Sequence, residues 1–233
     1  QAPDTAWTRW YGGTGYDEGY SVQQTTDGGY IIVGYTASFG NNEDIYLIKT
    51  DINGDTIWTK TYGGPGYDEG YSVVQTSDNG YAFAGFTNAY DIDGDACLLK
   101  SDSLGDTTWT RIYGGAGVDF SFMVQQTTDG GYILVGYTES FGSNGEVYLI
   151  KTNSNGDTIW TRHYGRSGMD FGSSVQEIAS GNYIIAGASE NISTGLGDVY
   201  IIKVDANGDT LWTKIYGSPI DEEWALSIQQ TFD

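Results

Sequence analysis

The chain alternates short apolar runs with tight polar breaks on a fixed beat. In one stretch the runs fall at residues 70–76 (GYSVVQT), 81–87 (YAFAGFT), 96–101 (ACLLKS) and 107–114 (TTWTRIYG). Each has the length of a strand and is rich in β-branched or aromatic residues. None spaces its apolar residues by three and four over the length that a helix needs. The breaks read Asp-Asn-Gly, Asp-Gly-Gly and Asn-Gly-Asp, whose glycine or asparagine accepts the positive φ of a hairpin turn. The pattern predicts antiparallel strands joined by tight turns.

The pattern also repeats. One phrase closes on Trp7, Trp58, Trp109, Trp160 and Trp212, which are 51, 51, 51 and 52 residues apart. So regular a period marks one structural unit in tandem, and four antiparallel strands per unit at this length is the signature of a propeller blade. The predicted fold is an all-β propeller, a single domain over residues 1–233 with a 51-residue repeat. Its four complete blades fall at approximately residues 13–63, 64–114, 115–165 and 166–217. Residues 5–12 (TAWTRWYG) match only the outer, tryptophan-bearing strand, and residues 225–231 (ALSIQQT) match only the inner strand GYSVQQT at 19–25. A fifth blade is therefore expected to be split or incomplete. Either the chain continues beyond Asp233 or its ends are completed by another chain. In the second case the open strand edges invite pairing, and copies are expected to join head to tail, as a ring or a filament.

On these residues the chain resembles the tandem-repeat β-propellers of secreted bacterial surface proteins. The phrase LIKTDINGDTIWTKTYGG also resembles the tryptophan-docking blades of quinoprotein-like propellers, in which an Asp, a turn Gly and a Trp four residues on lock neighbouring blades. Asp51, Gly54 and Trp58 hold those positions, as do Asp102, Gly105 and Trp109, and Asp205, Gly208 and Trp212. Asn153 stands in for the Asp in the remaining copy, and the turn is one residue shorter than the quinoprotein pattern. The resemblance implies the fold and an extracellular, cell-surface setting, without an assigned activity.

Composition narrows the classes. A formal net charge of −21 speaks against nucleic acid and anionic lipid as partners, since both attract basic patches. No apolar stretch is long enough to span a membrane as a helix. A chain starting at Gln1 without methionine is expected of a secreted protein after cleavage. Cys97, the single cysteine, lies in an apolar strand and is expected to be a buried thiol.

Candidate chemistry is sparse. Asp91, Asp93 and Asp95 alternate in one loop (DIDGD) and form a candidate Ca2+ site, because hard cations take several oxygen ligands. A second acidic set, Asp17-Glu18, Asp68-Glu69, Asp119, Asp170 and Asp221-Glu222-Glu223, recurs between the outer strand of one blade and the inner strand of the next. It can cap strand ends through backbone amides or ring a cation-collecting mouth. No nucleophile elbow and no metal-ligand histidine cluster is present, His163 being the single histidine, so no catalytic residue and no cofactor-binding residue is assigned. Two non-catalytic classes stay open: a structural or interaction scaffold, partnered by copies of itself or other surface proteins, and a glycan-binding module. For the second, Tyr16, Phe39, Tyr67 and Phe141 are the candidate sugar contacts, since sugars stack on exposed aromatic faces. Asn191-Ile-Ser193 is a candidate glycan attachment site.

Overall fold

The computed structural model describes residues 7–40, 42–89, 93–142, 144–178 and 181–231, which form sixteen strands in four antiparallel sheets. Blade 1 holds β1 (Asp17–Gln24), β2 (Tyr30–Thr36), β3 (Asp44–Thr50) and β4 (Thr56–Tyr62). Blade 2 holds β5 (Asp68–Gln75), β6 (Tyr81–Thr87), β7 (Asp95–Ser101) and β8 (Thr107–Tyr113). Blade 3 holds β9 (Asp119–Gln126), β10 (Tyr132–Thr138), β11 (Glu146–Thr152) and β12 (Thr158–Tyr164). Blade 4 holds β13 (Asp170–Ile178), β14 (Asn182–Asn191), β15 (Leu196–Val204) and β16 (Thr210–Tyr216). Strands pair in chain order within each sheet, and the first strands of successive blades lie side by side around the axis.

Burial follows position in the blade. In blades 2 and 3 the second and third strands are buried on both faces, as in β10, where every residue is buried. They are sandwiched between neighbouring sheets, which is why they read as continuous apolar runs. The outer strands alternate between exposed and half-buried positions, as in β12. The inner strand carries a bulge after its third residue, between Gly19 and Ser21 in blade 1 and between Gly70 and Ser72 in blade 2. There the carbonyl of Glu18 comes so close to Gly34 that a Cβ would collide with it, so the Val-Gly-Tyr of the second strand tolerates nothing larger.

The core is divided into three layers, one at each junction between blades. Ile31, Val33, Ile45 and Leu47 of blade 1 pack on Val73, Phe83, Cys97 and Leu99 of blade 2. Blades 2 and 3 meet through Ala82, Leu98, Val124 and Leu134, and blades 3 and 4 through Ile133, Leu149, Val175 and Ile202. Cys97 is buried in the first layer as expected, and that burial raises the pKa of its thiol.

The two ends of this arc differ from its interior. Val22 of β1 is 64% exposed, whereas its counterparts Val73, Val124 and Val175 are 3%, 0% and 0% exposed. At the other end Tyr216 is 55% exposed where Tyr113 is 7%. The two terminal segments, expected to be strands of a split blade, are in no sheet among the described residues. Each is nevertheless docked on its own end of the arc.

Candidate functional site

Each outer strand grips the next blade with three side chains. Trp58 lies edge-on to Tyr81 with ring centroids 5.9 Å apart, and Trp109 and Trp160 repeat this on Tyr132 and Tyr183. Beneath each ring is the glycine of the next blade's last hairpin. A Cβ on Gly156 would stand 2.7 Å from the Trp109 ring, and its φ of +76° already disfavours any other residue. Four residues after each tryptophan a tyrosine donates to that glycine's carbonyl: Tyr62 to Gly105 at 2.6 Å, Tyr113 to Gly156 at 2.7 Å and Tyr164 to Gly208 at 2.6 Å. Two residues after it a cation pairs across the junction, as Lys60 does with Asp106 at 2.9 Å and Arg111 with Asp157 at 3.1 Å. Arg111 also lies over the Trp109 ring at 5.4 Å. The tryptophan four residues after a turn glycine therefore docks on the following blade's glycine and not on its own.

The terminal segments imitate these contacts. Trp7 meets Tyr30 at 5.9 Å, Arg9 pairs with Asp55 at 2.9 Å and the Tyr11 hydroxyl donates to the Gly54 carbonyl at 2.7 Å. At the far end the Ile228 amide donates to Ser174 Oγ at 3.2 Å and the Gln230 amide to Gln176 Oε1 at 2.6 Å. Those bonds copy Val73 on Ser21 at 3.4 Å and Gln75 on Gln23 at 2.6 Å. Residues 7–12 thus sit on blade 1 as an outer strand would, and residues 225–231 sit on blade 4 as an inner strand would.

The aspartate that opens each inner strand is bonded to the turn before it. Asp17 accepts from the Gly13 amide at 2.9 Å, from Ser38 at 2.7 Å and from Thr36. Asp68, Asp119 and Asp170 take the amides of Gly64, Gly115 and Arg166 in the same way and are buried. Capping is the role the geometry gives them. Asp95 belongs to the repeat as well: Asp44, Glu146 and Asp198 stand at its position near the start of the third strand. Of the Asp91, Asp93 and Asp95 set, Asp91 lies outside the described residues, while Asp93 is exposed and Asp95 half-buried. The candidate sugar contacts lie on separate repeats: Tyr16 and Tyr67 are exposed on successive blades, and Phe39 and Phe141 lean on Tyr46 and Tyr148 two blades apart. Asn191 is exposed at the end of β14, where its side chain accepts the Ser193 amide at 3.0 Å. His163 faces outward, bonded to Glu146 at 2.5 Å and stacked on Phe141.

Sequence reasoning missed the axis. The repeat looked uniform, yet two positions of the inner strand break it. Blades 1 and 2 carry Glu18 and Tyr20, and Glu69 and Tyr71, where the later copies carry Phe120 and Phe122, Phe171 and Ser173, and Trp224 and Leu226. All of these except Glu18 and Glu69 line one cavity of about 700 Å³, and Glu69 accepts from the Tyr71 hydroxyl. The signal was present as a departure from the repeat, but only the inner position of β1, β5, β9 and β13 gives it meaning.

No protein-family model and no curated protein matches the sequence. Among solved structures, the WD40 domain of Neurospora crassa Pan2 is similar with a TM-score of 0.51 at 9% identity, over 85% of this chain and 66% of that domain. The chain is a β-propeller. The propeller also matches an endo-arabinase from Bacteroides thetaiotaomicron, with a TM-score of 0.45 at 12% identity, over 85% of this chain and 82% of that one. This propeller spans just under two thirds of the Pan2 domain, and at such identities the likeness concerns the fold alone.

Proposed function

We propose that this propeller is a non-catalytic structural and interaction protein, an extracellular scaffold whose copies join head to tail by strand addition. The observation that carries the reading is Val22, 64% exposed at a position that is 3%, 0% and 0% exposed in the other blades. The three internal junctions give the pattern for a fourth, between copies. In it β1 of one copy takes the place that residues 225–231 now hold on blade 4 of its neighbour, and β16 takes the place of residues 7–12. Either placeholder supplies one strand, whereas a whole blade supplies the full layer of apolar side chains seen inside the arc. Burying that surface is favourable at roughly 25 cal/mol per Å². The acidic surface, with a net charge of −21, and the resemblance to secreted surface propellers support an extracellular setting.

Val22→Glu tests this without disturbing the fold, because an already exposed position changes stability by roughly 0.5 kcal/mol or less. Light scattering of the parent is expected to show a mass rising with concentration, and the variant is expected to stay monomeric. A parent that is monomeric at every concentration, or a variant that assembles equally well, contradicts the proposal. Glycan binding at several equivalent sites with no self-association would favour the lectin reading instead.

A further inference from the structure

The axial cavity is built from two unlike walls. Tyr20 and Tyr71 stand on the side of blades 1 and 2, and Phe120, Phe122, Phe171 and Trp224 on the other. Their rings are in mutual contact: Tyr20 to Tyr71 at 5.2 Å, Tyr71 to Phe122 at 5.5 Å and Phe171 edge-on to Trp224 at 5.7 Å. Carboxylates stand behind the tyrosine hydroxyls. Tyr71 donates to Glu69 at 2.7 Å, Tyr137, which also lines the cavity, donates to Glu139 at 2.7 Å, and Tyr35 donates to Glu18 at 3.3 Å. No lysine or arginine is among the lining residues. Burial and then the charges of Glu69, Glu18 and Glu43 push the Tyr20 hydroxyl up to about 12, the response of an acid held in a negative field.

We infer that this groove binds an organic cation with an apolar body, a quaternary ammonium or a protonated amine. Aromatic faces are negative and attract such a cation, more strongly as it is desolvated. Glu69 and Glu139, each accepting from a tyrosine that lines the groove, place negative charge behind that wall. An uncharged sugar or a hydrocarbon would stack on the rings without using that charge. The occupant that uses both walls is the cation. The groove is that of a single copy, in which residues 225–231 sit on blade 4 and Trp224 and Leu226 complete its wall.

The test is calorimetric titration of the Val22→Glu variant, so that self-association does not enter, with choline as the probe. Its carbon isostere, in which the charged nitrogen is replaced by carbon, and a panel of neutral monosaccharides serve as comparisons. Choline is expected to bind saturably and the isostere about tenfold more weakly. Trp224→Ala is expected to weaken choline by roughly fivefold or more and Trp224→Phe by much less. Glu69→Gln is expected to weaken choline and leave the isostere unchanged. Thermal melts of each variant establish that it is folded, and Trp10→Ala, at a ring 95% exposed, is expected to bind as the parent does. Equal binding of choline and its isostere, no saturable heat from choline, or binding of the sugars in its place would each overturn the inference.

Discussion

Trp109→Ala is expected to lower stability by about 2–4 kcal/mol, below the full cost of a core tryptophan because its ring is only half-buried. The loss has several parts at one junction. The ring leaves its edge contact with Tyr132 and uncovers Gly156, and Arg111 loses the face it lies over. Blades 2 and 3 then meet with a gap beside Tyr113 and Leu134, and voids lined by apolar groups are not repaid by relaxation. The same change at Trp212 supplies the comparison. That tryptophan is 39% exposed at the open end, covered by Lys214 and by no further blade. With copies held apart by Val22→Glu, Trp212→Ala is therefore expected to cost under about 1 kcal/mol. Urea unfolding followed by circular dichroism measures both. Equal losses would mean that the tryptophans stabilise their own blades and not the junctions.

The second large effect is expected at the buried lysines. Lys49, Lys100 and Lys151 recur in the third strands of blades 1 to 3, each buried, each bonded to the carbonyl of the next residue and each paired with an aspartate at 2.9 to 3.0 Å. Asp78→Ala would leave the Lys100 ammonium buried with a single neutral acceptor. Stranding a buried charged donor costs about 1–3 kcal/mol, and the solvated outer face of Asp78 places the expected loss in the lower half of that range. The same pairs set an acid limit. The Thr25 hydroxyl and Lys49 hold Asp27 at about 2. Burial would raise Asp78 and Asp129, but their threonine, lysine and glycine partners bring both down to about 2. The unfolded chain, whose aspartates titrate near 3.8, takes up these protons first as the pH falls. This contribution is then complete above about pH 4 and disappears towards pH 2. The Asp78→Ala variant should show a shallower loss of melting temperature across that window than the parent. An identical acid profile would show that Asp78 adds nothing to it.

Most of the blade could be read from the sequence because its strands lie between sheets and its turns need glycine. Tyr30–Thr36 and Tyr81–Thr87 appear with the bounds their apolar runs predict. The inner strands start earlier than their apolar runs, at Asp17 and Asp68, because those acids already pair with Thr36 and Thr87. In blade 4 the middle strands run on to Asn191 and from Leu196, where the hairpin is tied by Gly195 donating to the Asn191 carbonyl at 2.8 Å. The terminal segments were legible as strand sequences, but among the described residues they lie in no sheet and instead dock through contacts that copy those of the internal junctions. The axial groove was least legible. Glu18, Glu69, Phe120, Phe171 and Trp224 are far apart in the chain, and only the ring of inner strands brings them together.

The claim that blade 1 presents a vacant junction is tested most directly by hydrogen exchange measured at low and high protein concentration. With head-to-tail joining, the amides of β1 (residues 17–24) and the outer strand β16 should gain protection as concentration rises, while β5, β9 and β13, covered within each copy, should not change. Protection of β1 that stays constant over the whole concentration range would contradict the account.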